Sequence, residues 1–205
     1  MHAMDKLTRI LLCLALLFLA RTVDAGAASL YERSREKLQA GIERLSTADF
    51  TFVVLGDSRD GDDTFRKTLA LAKTYNPLFI LHGGDYSSTG SDKETDYFLG
   101  MVNGIVPEVP FFVVFGNHEK RTVFAEKIGP LNFSIDSAKL KLRVIAIDNA
   151  GSALNRPEMD YLRGQLAATR ENTFVAMHVP PKTGRWSWHT FSDGAEELQD
   201  ALPEH

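Results

Sequence analysis

Gly116-Asn117-His118-Glu119 stands directly after the apolar run Phe111-Phe112-Val113-Val114-Phe115. An amide, an imidazole and a carboxylate placed together can bind a divalent cation, carry a proton, or do both. Four other apolar runs end in a similar way. Phe52-Val53-Val54-Leu55 leads into Gly56-Asp57-Ser58-Arg59, and Leu78-Phe79-Ile80-Leu81 leads into His82-Gly83-Gly84-Asp85-Tyr86. Val144-Ile145-Ala146-Ile147 stops at Asp148-Asn149, and Phe174-Val175-Ala176-Met177 stops at His178. One such ending is ordinary. Five on one sheet would gather Asp57, Asp85, Asn117, His118 and His178 along a single edge, and the C-terminal edge of an open α/β sheet is where ligands bind.

Carboxylate, amide and imidazole ligands together suit a borderline divalent metal such as Zn, Mn or Fe. Two such ions roughly 3.5–4 Å apart can share one carboxylate and hold a water between them. That water becomes a nucleophile without any Ser or Cys, and the ions neutralise charge on a phosphoryl oxygen during in-line attack. His118, beside the amide ligand, could protonate the leaving oxygen.

The elements that must position these residues follow from periodicity and punctuation. An unbroken apolar run such as 111–115 reads as a strand buried on both faces. Leu30 to Leu45 carries a modest apolar stripe and reads as a surface helix without a chemical role. Gly61-Asp62-Asp63 opens a helix to about Tyr75, which Asn76-Pro77 stops, so the flanking strands form a parallel β-α-β unit. Ser91-Asp92-Lys93-Glu94 resembles a capping box and starts a helix to about Ile105. A short helix spans Thr122 to Ile128. Residues 131–136 and 141–148 read as a β-hairpin. Asn155-Arg156-Pro157-Glu158 begins another helix, with Pro157 near its first position. The strand to His178, a loop rich in Gly, Trp and Ser over 182–192, and a helix from Ala195 to Leu202 complete the chain.

The blocks Gly56-Asp57, Gly84-Asp85, Gly116-Asn117-His118-Glu119 and the late His178 resemble those of the calcineurin-like metallophosphoesterases, a family that includes the purple acid phosphatases. They occur in the family's order and span about residues 50 to 180. The resemblance implies an α/β fold: a four-layer α/β-β/α sandwich of two mixed β-sheets flanked by helices, here C-terminally incomplete. It implies an enzyme that hydrolyses phosphoesters with a dinuclear site of divalent or trivalent ions (Fe, Mn or Zn) and a metal-bound water. By position, Asp85 would bridge the ions, Asn117 and His178 would bind the second, and Asp57 the first. His118 would be the leaving-group or transition-state histidine.

Two departures bear on activity. Arg59 stands where the family usually has a metal histidine; it cannot ligate a metal, but it could grip a substrate phosphate bidentately. The family's late Gly-His-x-His block is not visible, and His189, in Trp186-Ser187-Trp188-His189, lacks its context. The expectation is a truncated member or a short form with weakened metal binding. The alternative is a non-catalytic binding module that keeps the fold. A nucleotide-binding α/β domain ranks last, because no Gly-rich phosphate loop opens a helix.

Bulk properties bound the rest. The chain has 205 residues and a formal net charge of -4, with no dense Lys/Arg stripe, so nucleic acid is not an expected partner. A phosphoester small molecule is. Lys6 and Arg9 precede an apolar run from Ile10 to Ala20, and Val23-Asp24-Ala25 offers small residues for cleavage. Residues 1–25 are therefore expected to be a signal peptide, residues 26–48 an N-terminal surface helix, and residues 49–205 the phosphoesterase domain. Cleavage would remove Cys13, the one cysteine, and leave a chain suited to a periplasmic or secreted destination with no membrane span.

Overall fold

A computed structural model describes residues 28–168 and 170–202. The expected signal peptide, with Cys13, and the last three residues lie outside the described residues. Helix α1 (Leu30–Arg44) begins with a capping box in which Ser29 and Glu32 satisfy each other's backbone N–H groups. Then β1 (Phe52–Leu55), α2 (Asp62–Thr74), β2 (Phe79–His82), α3 (Asp92–Ile105) and β3 (Phe111–Val113) alternate. Their strands form a wholly parallel sheet in the order β1-β2-β3. The capping box read at Ser91 and Glu94 is present at the start of α3.

After the short helix α4 (Arg121–Lys127), the hairpin of β4 (Phe133–Ser137) and β5 (Leu142–Ala146) reverses the chain. Helix α5 (Arg156–Leu166) carries it to β6 (Asn172–Ala176), which pairs with β5 in parallel, and α6 (Ala195–Ala201) follows. The second sheet is thus mixed, in the order β4-β5-β6. The five strands expected on one sheet are divided, three to the first sheet and two to the second. Stacking two sheets lets their inner faces cover each other, which one five-stranded sheet would need further helices to achieve.

Three apolar clusters show the layering. Phe65, Leu69, Phe98 and Met101 of α2 and α3 pack on Ile80, Phe111 and Val113 from the outer side of the first sheet. Phe79, Leu81 and Phe112 meet Phe133, Ile135, Leu142 and Val144 between the sheets. Met159 and Leu162 of α5 and Leu198 of α6 cover Ile145 and Ile147 on the far side. This is the helix–sheet–sheet–helix sandwich. Among the described residues no helix is long and apolar enough to cross a membrane.

The two flanks differ. On one, α1 is more than a surface helix: the Ser34 hydroxyl donates to Phe111 O at 2.9 Å and accepts from Phe111 N–H at 2.9 Å. It satisfies the outer backbone edge of β3, and Leu38 enters the core between the sheets. On the other flank, β1 and β6 are outer strands. There Val54 is 63% and Phe174 44% exposed, so the apolar runs of β1 and β6 are not buried on both faces.

Candidate metal centre

The parallel strands of the first sheet release their chains at the same edge, and backbone hydrogen bonds tie the emerging loops together. Asp57 N–H donates to Gly84 O at 3.0 Å, and Arg59 N–H donates to Asp85 O at 3.1 Å. Asp57 and Asp85 both adopt left-handed backbones, with φ of 49° and 57°. A short polar side chain tolerates that region, and such strain collects at functional sites. Two glycines make the close approach possible. A Cβ at Gly84 would lie 2.9 Å from both Gly116 Cα and His178 Nδ1. A Cβ at Gly116 would fall on Asp85 N and Glu119 Oε2.

The expected ligands converge. Asp57, Asp85 and His178 each place one ligand atom within 4.8 Å of the others. His178 arrives from the second sheet, two residues beyond β6. Its Nδ1 donates to Gly83 O at 2.8 Å, which leaves the lone pair on Nε2. That nitrogen lies 2.9 Å from Asn117 Oδ1 and 3.4 Å from Asp85 Oδ1. Three acceptors facing one another are held together most simply by a cation among them. Around an ion with bonds of about 2.0–2.2 Å, neighbouring ligands lie roughly 3 Å apart and opposite ones roughly 4.3 Å. The donor set therefore fits a borderline divalent ion, and Asp57, Asp85, Asn117 and His178 could hold it.

His118 and Arg59 flank this cluster. His118 N–H donates to Asp85 Oδ1 at 3.2 Å. Its Nδ1 lies 3.1 Å from the carbonyl of Ser88, a contact that requires the proton on Nδ1, and its Nε2 turns toward Asp85 Oδ2 at 3.8 Å. Arg59 Nε approaches the same oxygen at 3.5 Å, and its side chain is 37% exposed. These residues line a cleft of about 670 Å³, whose outer wall includes Trp186, Trp188 and His189. Trp186 and Trp188 are 58% and 72% exposed, so the tryptophan loop borders the cleft instead of packing into the core.

Three residues without an assigned role build the frame. Glu119 is 7% exposed and receives five donors from the two loops it joins. Its Oε2 accepts from Gly116 N–H at 2.9 Å and Asp85 N–H at 3.1 Å. Its Oε1 accepts from Tyr86 N–H at 2.9 Å, Ser87 N–H at 3.2 Å and the Ser87 hydroxyl at 3.3 Å. Burial pushes the Glu119 carboxyl above its ordinary range. Asn149 brackets the other side: its Oδ1 accepts from His178 N–H and Val179 N–H, each at 3.0 Å. Its place after β5 is the sequence signal that could have found it. Tyr86 stacks on Phe98 at 4.3 Å between ring centroids, a packing role, and Asp148 accepts from Ala150 N–H at 3.1 Å and pairs with Arg121.

His82 is the third support, and it is fully buried. Gly84 N–H donates to its Nδ1 at 3.1 Å, so its Nε2 donates to the Ser58 hydroxyl at 2.9 Å. One neutral imidazole thereby links the loops of Asp57 and Asp85. Burial first, and the charge of His178 second, push its pKa down to about 3. The unfolded chain binds a proton below about pH 6.5 that the folded chain refuses until near pH 3. This contribution to stability is complete above pH 6.5 and is lost as the pH falls toward 3. It should remove ~2 kcal/mol at pH 5. Urea unfolding in metal-free buffer at pH 7 and pH 5 measures the difference, and His82→Gln should flatten it.

The family model described as calcineurin-like phosphoesterase matches residues 50–203. No curated protein matches the chain. The matched span runs from two residues before β1 to beyond α6 and takes in both sheets and every residue of the cluster. The chain belongs to the calcineurin-like phosphoesterase family.

Proposed function

We propose that the protein is an exported, metal-dependent phosphoester hydrolase. The observation that carries this reading is the convergence of Asp57, Asp85 and His178 to within 4.8 Å, with Asn117 Oδ1 facing His178 Nε2. Family membership supports the reaction class, and the basic then apolar N-terminal sequence supports export. When bound, a divalent ion supplies a water of lowered pKa and neutralises phosphoryl charge.

The chain's own residues do the rest. Asp57, Asp85, Asn117 and His178 hold the ion. Arg59 projects into the cleft, and its planar fork matches two phosphate oxygens. His118 keeps its Nδ1 proton on Ser88 O and presents Nε2 to the ester; when protonated there, it donates to the leaving oxygen. The cleft volume suits a small-molecule ester.

Assays with p-nitrophenyl phosphate and bis(p-nitrophenyl) phosphate, with and without added Mn²⁺, test the reading. Turnover that requires the metal is expected on at least one ester. His118→Ala should lower kcat/KM by about 10²–10³-fold. An absence of metal-dependent turnover on both esters overturns the reading in favour of a non-catalytic module.

A further inference from the structure

The buried carboxylate of Asp85 is approached differently on its two oxygens. Oδ1 accepts His118 N–H and faces His178 Nε2, the nitrogen that Asn117 Oδ1 also faces. Oδ2 faces the guanidinium of Arg59, whose Nε is 3.5 Å away. Arg59 is anchored beside that carboxylate through its backbone: its N–H donates to Asp85 O at 3.1 Å. A guanidinium stays protonated in any folded protein and has no lone pair to offer a metal. A second dication bound through Oδ2 would therefore meet a fixed positive charge that offers it no ligand, and the one imidazole nitrogen turned toward that oxygen, His118 Nε2 at 3.8 Å, is the proposed proton carrier. Among the described residues, His, Cys, Asp and Glu form no other group of three at metal-ligating distances.

We propose that Arg59 stands in for a second metal ion: the chain binds one divalent cation on the Oδ1 side of Asp85, and the guanidinium supplies the second positive charge of the site. This rests on the metal-centre reading above and fixes its stoichiometry. The arrangement keeps two positive charges facing an incoming phosphoryl group. One is a Lewis acid; the other is a fork of N–H donors that binds phosphate oxygens in a set geometry.

Metal stoichiometry tests the proposal without reference to turnover. Titration calorimetry of the full chain with Mn²⁺ should give one tight ion per chain in the wild type. Arg59→Lys keeps the charge and should also give one. Arg59→His removes the permanent charge, adds an imidazole donor beside Oδ2, and should raise the count to two. The wild-type Mn²⁺ spectrum in electron paramagnetic resonance needs no variant: the resolved hyperfine pattern of an isolated ion is expected. A spin-coupled pair in the wild type, or a single ion in both the wild type and a folded Arg59→His, overturns the role of Arg59 while leaving the metal centre standing. No Mn²⁺ binding in any of the three proteins overturns the metal centre itself, and this proposal with it.

Discussion

Asp85→Asn should reduce kcat/KM for a phosphoester by roughly 10³-fold or more, equivalent to about 4 kcal/mol of transition-state stabilisation. The substitution keeps the shape of the side chain and removes its charge. In the wild type one oxygen faces His178 Nε2 at 3.4 Å and the other faces Arg59 Nε at 3.5 Å. An amide presents an NH₂ group to one of those neighbours, and neither has a free acceptor for it once a cation is bound. Mn²⁺ affinity should fall together with activity. Folding stability should not fall in proportion, because Asp85 and Glu119 repel each other and that repulsion disappears. Activity within tenfold of the wild type, measured at saturating Mn²⁺, would show that the reacting group lies elsewhere.

Glu119→Gln is the second large effect, and it should appear as instability. The Glu119 carboxylate accepts on both oxygens, two donors on Oε2 and three on Oε1. A glutamine can accept on only one side. Whichever way its amide turns, an NH₂ group faces at least two backbone N–H donors. Leaving buried donors unpaired and removing a carboxylate that several of them share should cost about 3–5 kcal/mol. For a domain of this size that lowers Tm by roughly 10 °C. The loops that lose their common acceptor are those of Asp85 and Asn117, so Mn²⁺ should restore less stability to the variant than to the wild type. Thermal unfolding with and without Mn²⁺ measures both effects. A Tm within about 2 °C of the wild type would remove Glu119 from the frame.

Much of the candidate site could be read from the sequence because each ligand is anchored by local signals. Asp57, Asp85 and Asn117 each follow a glycine at the end of an apolar run, and the parallel β-α-β order sends those ends to one edge. What the sequence hid depends on contacts between distant segments. Glu119 sits inside the most conspicuous block, yet its role appears only when the Gly84–Ser87 loop folds over it. Asn149 matters because β5 and β6 pair in parallel and bring residue 149 beside 178. Arg59 could be read as a departure, but which neighbour it faces was set by Asp85 and His118, twenty-six and fifty-nine residues away. The division of the strands between two sheets was also hidden, since an apolar run does not state which neighbour it pairs with. The exposure of Val54 and Phe174 follows from that division: they belong to outer strands, which hydrophobicity alone does not distinguish from central ones.

The serine that links α1 to Phe111 bears on where this protein begins as a cooperative unit. The stretch carrying the family's signature starts at residue 50, but the strand delivering Asn117 has its outer border completed by a side chain sixteen positions upstream of that start. Melting α1 away would bare the main chain at Phe111, where the strand that leads to Asn117 begins. The span that resembles the family and the span that completes its strand therefore have different first residues, and the second comes earlier.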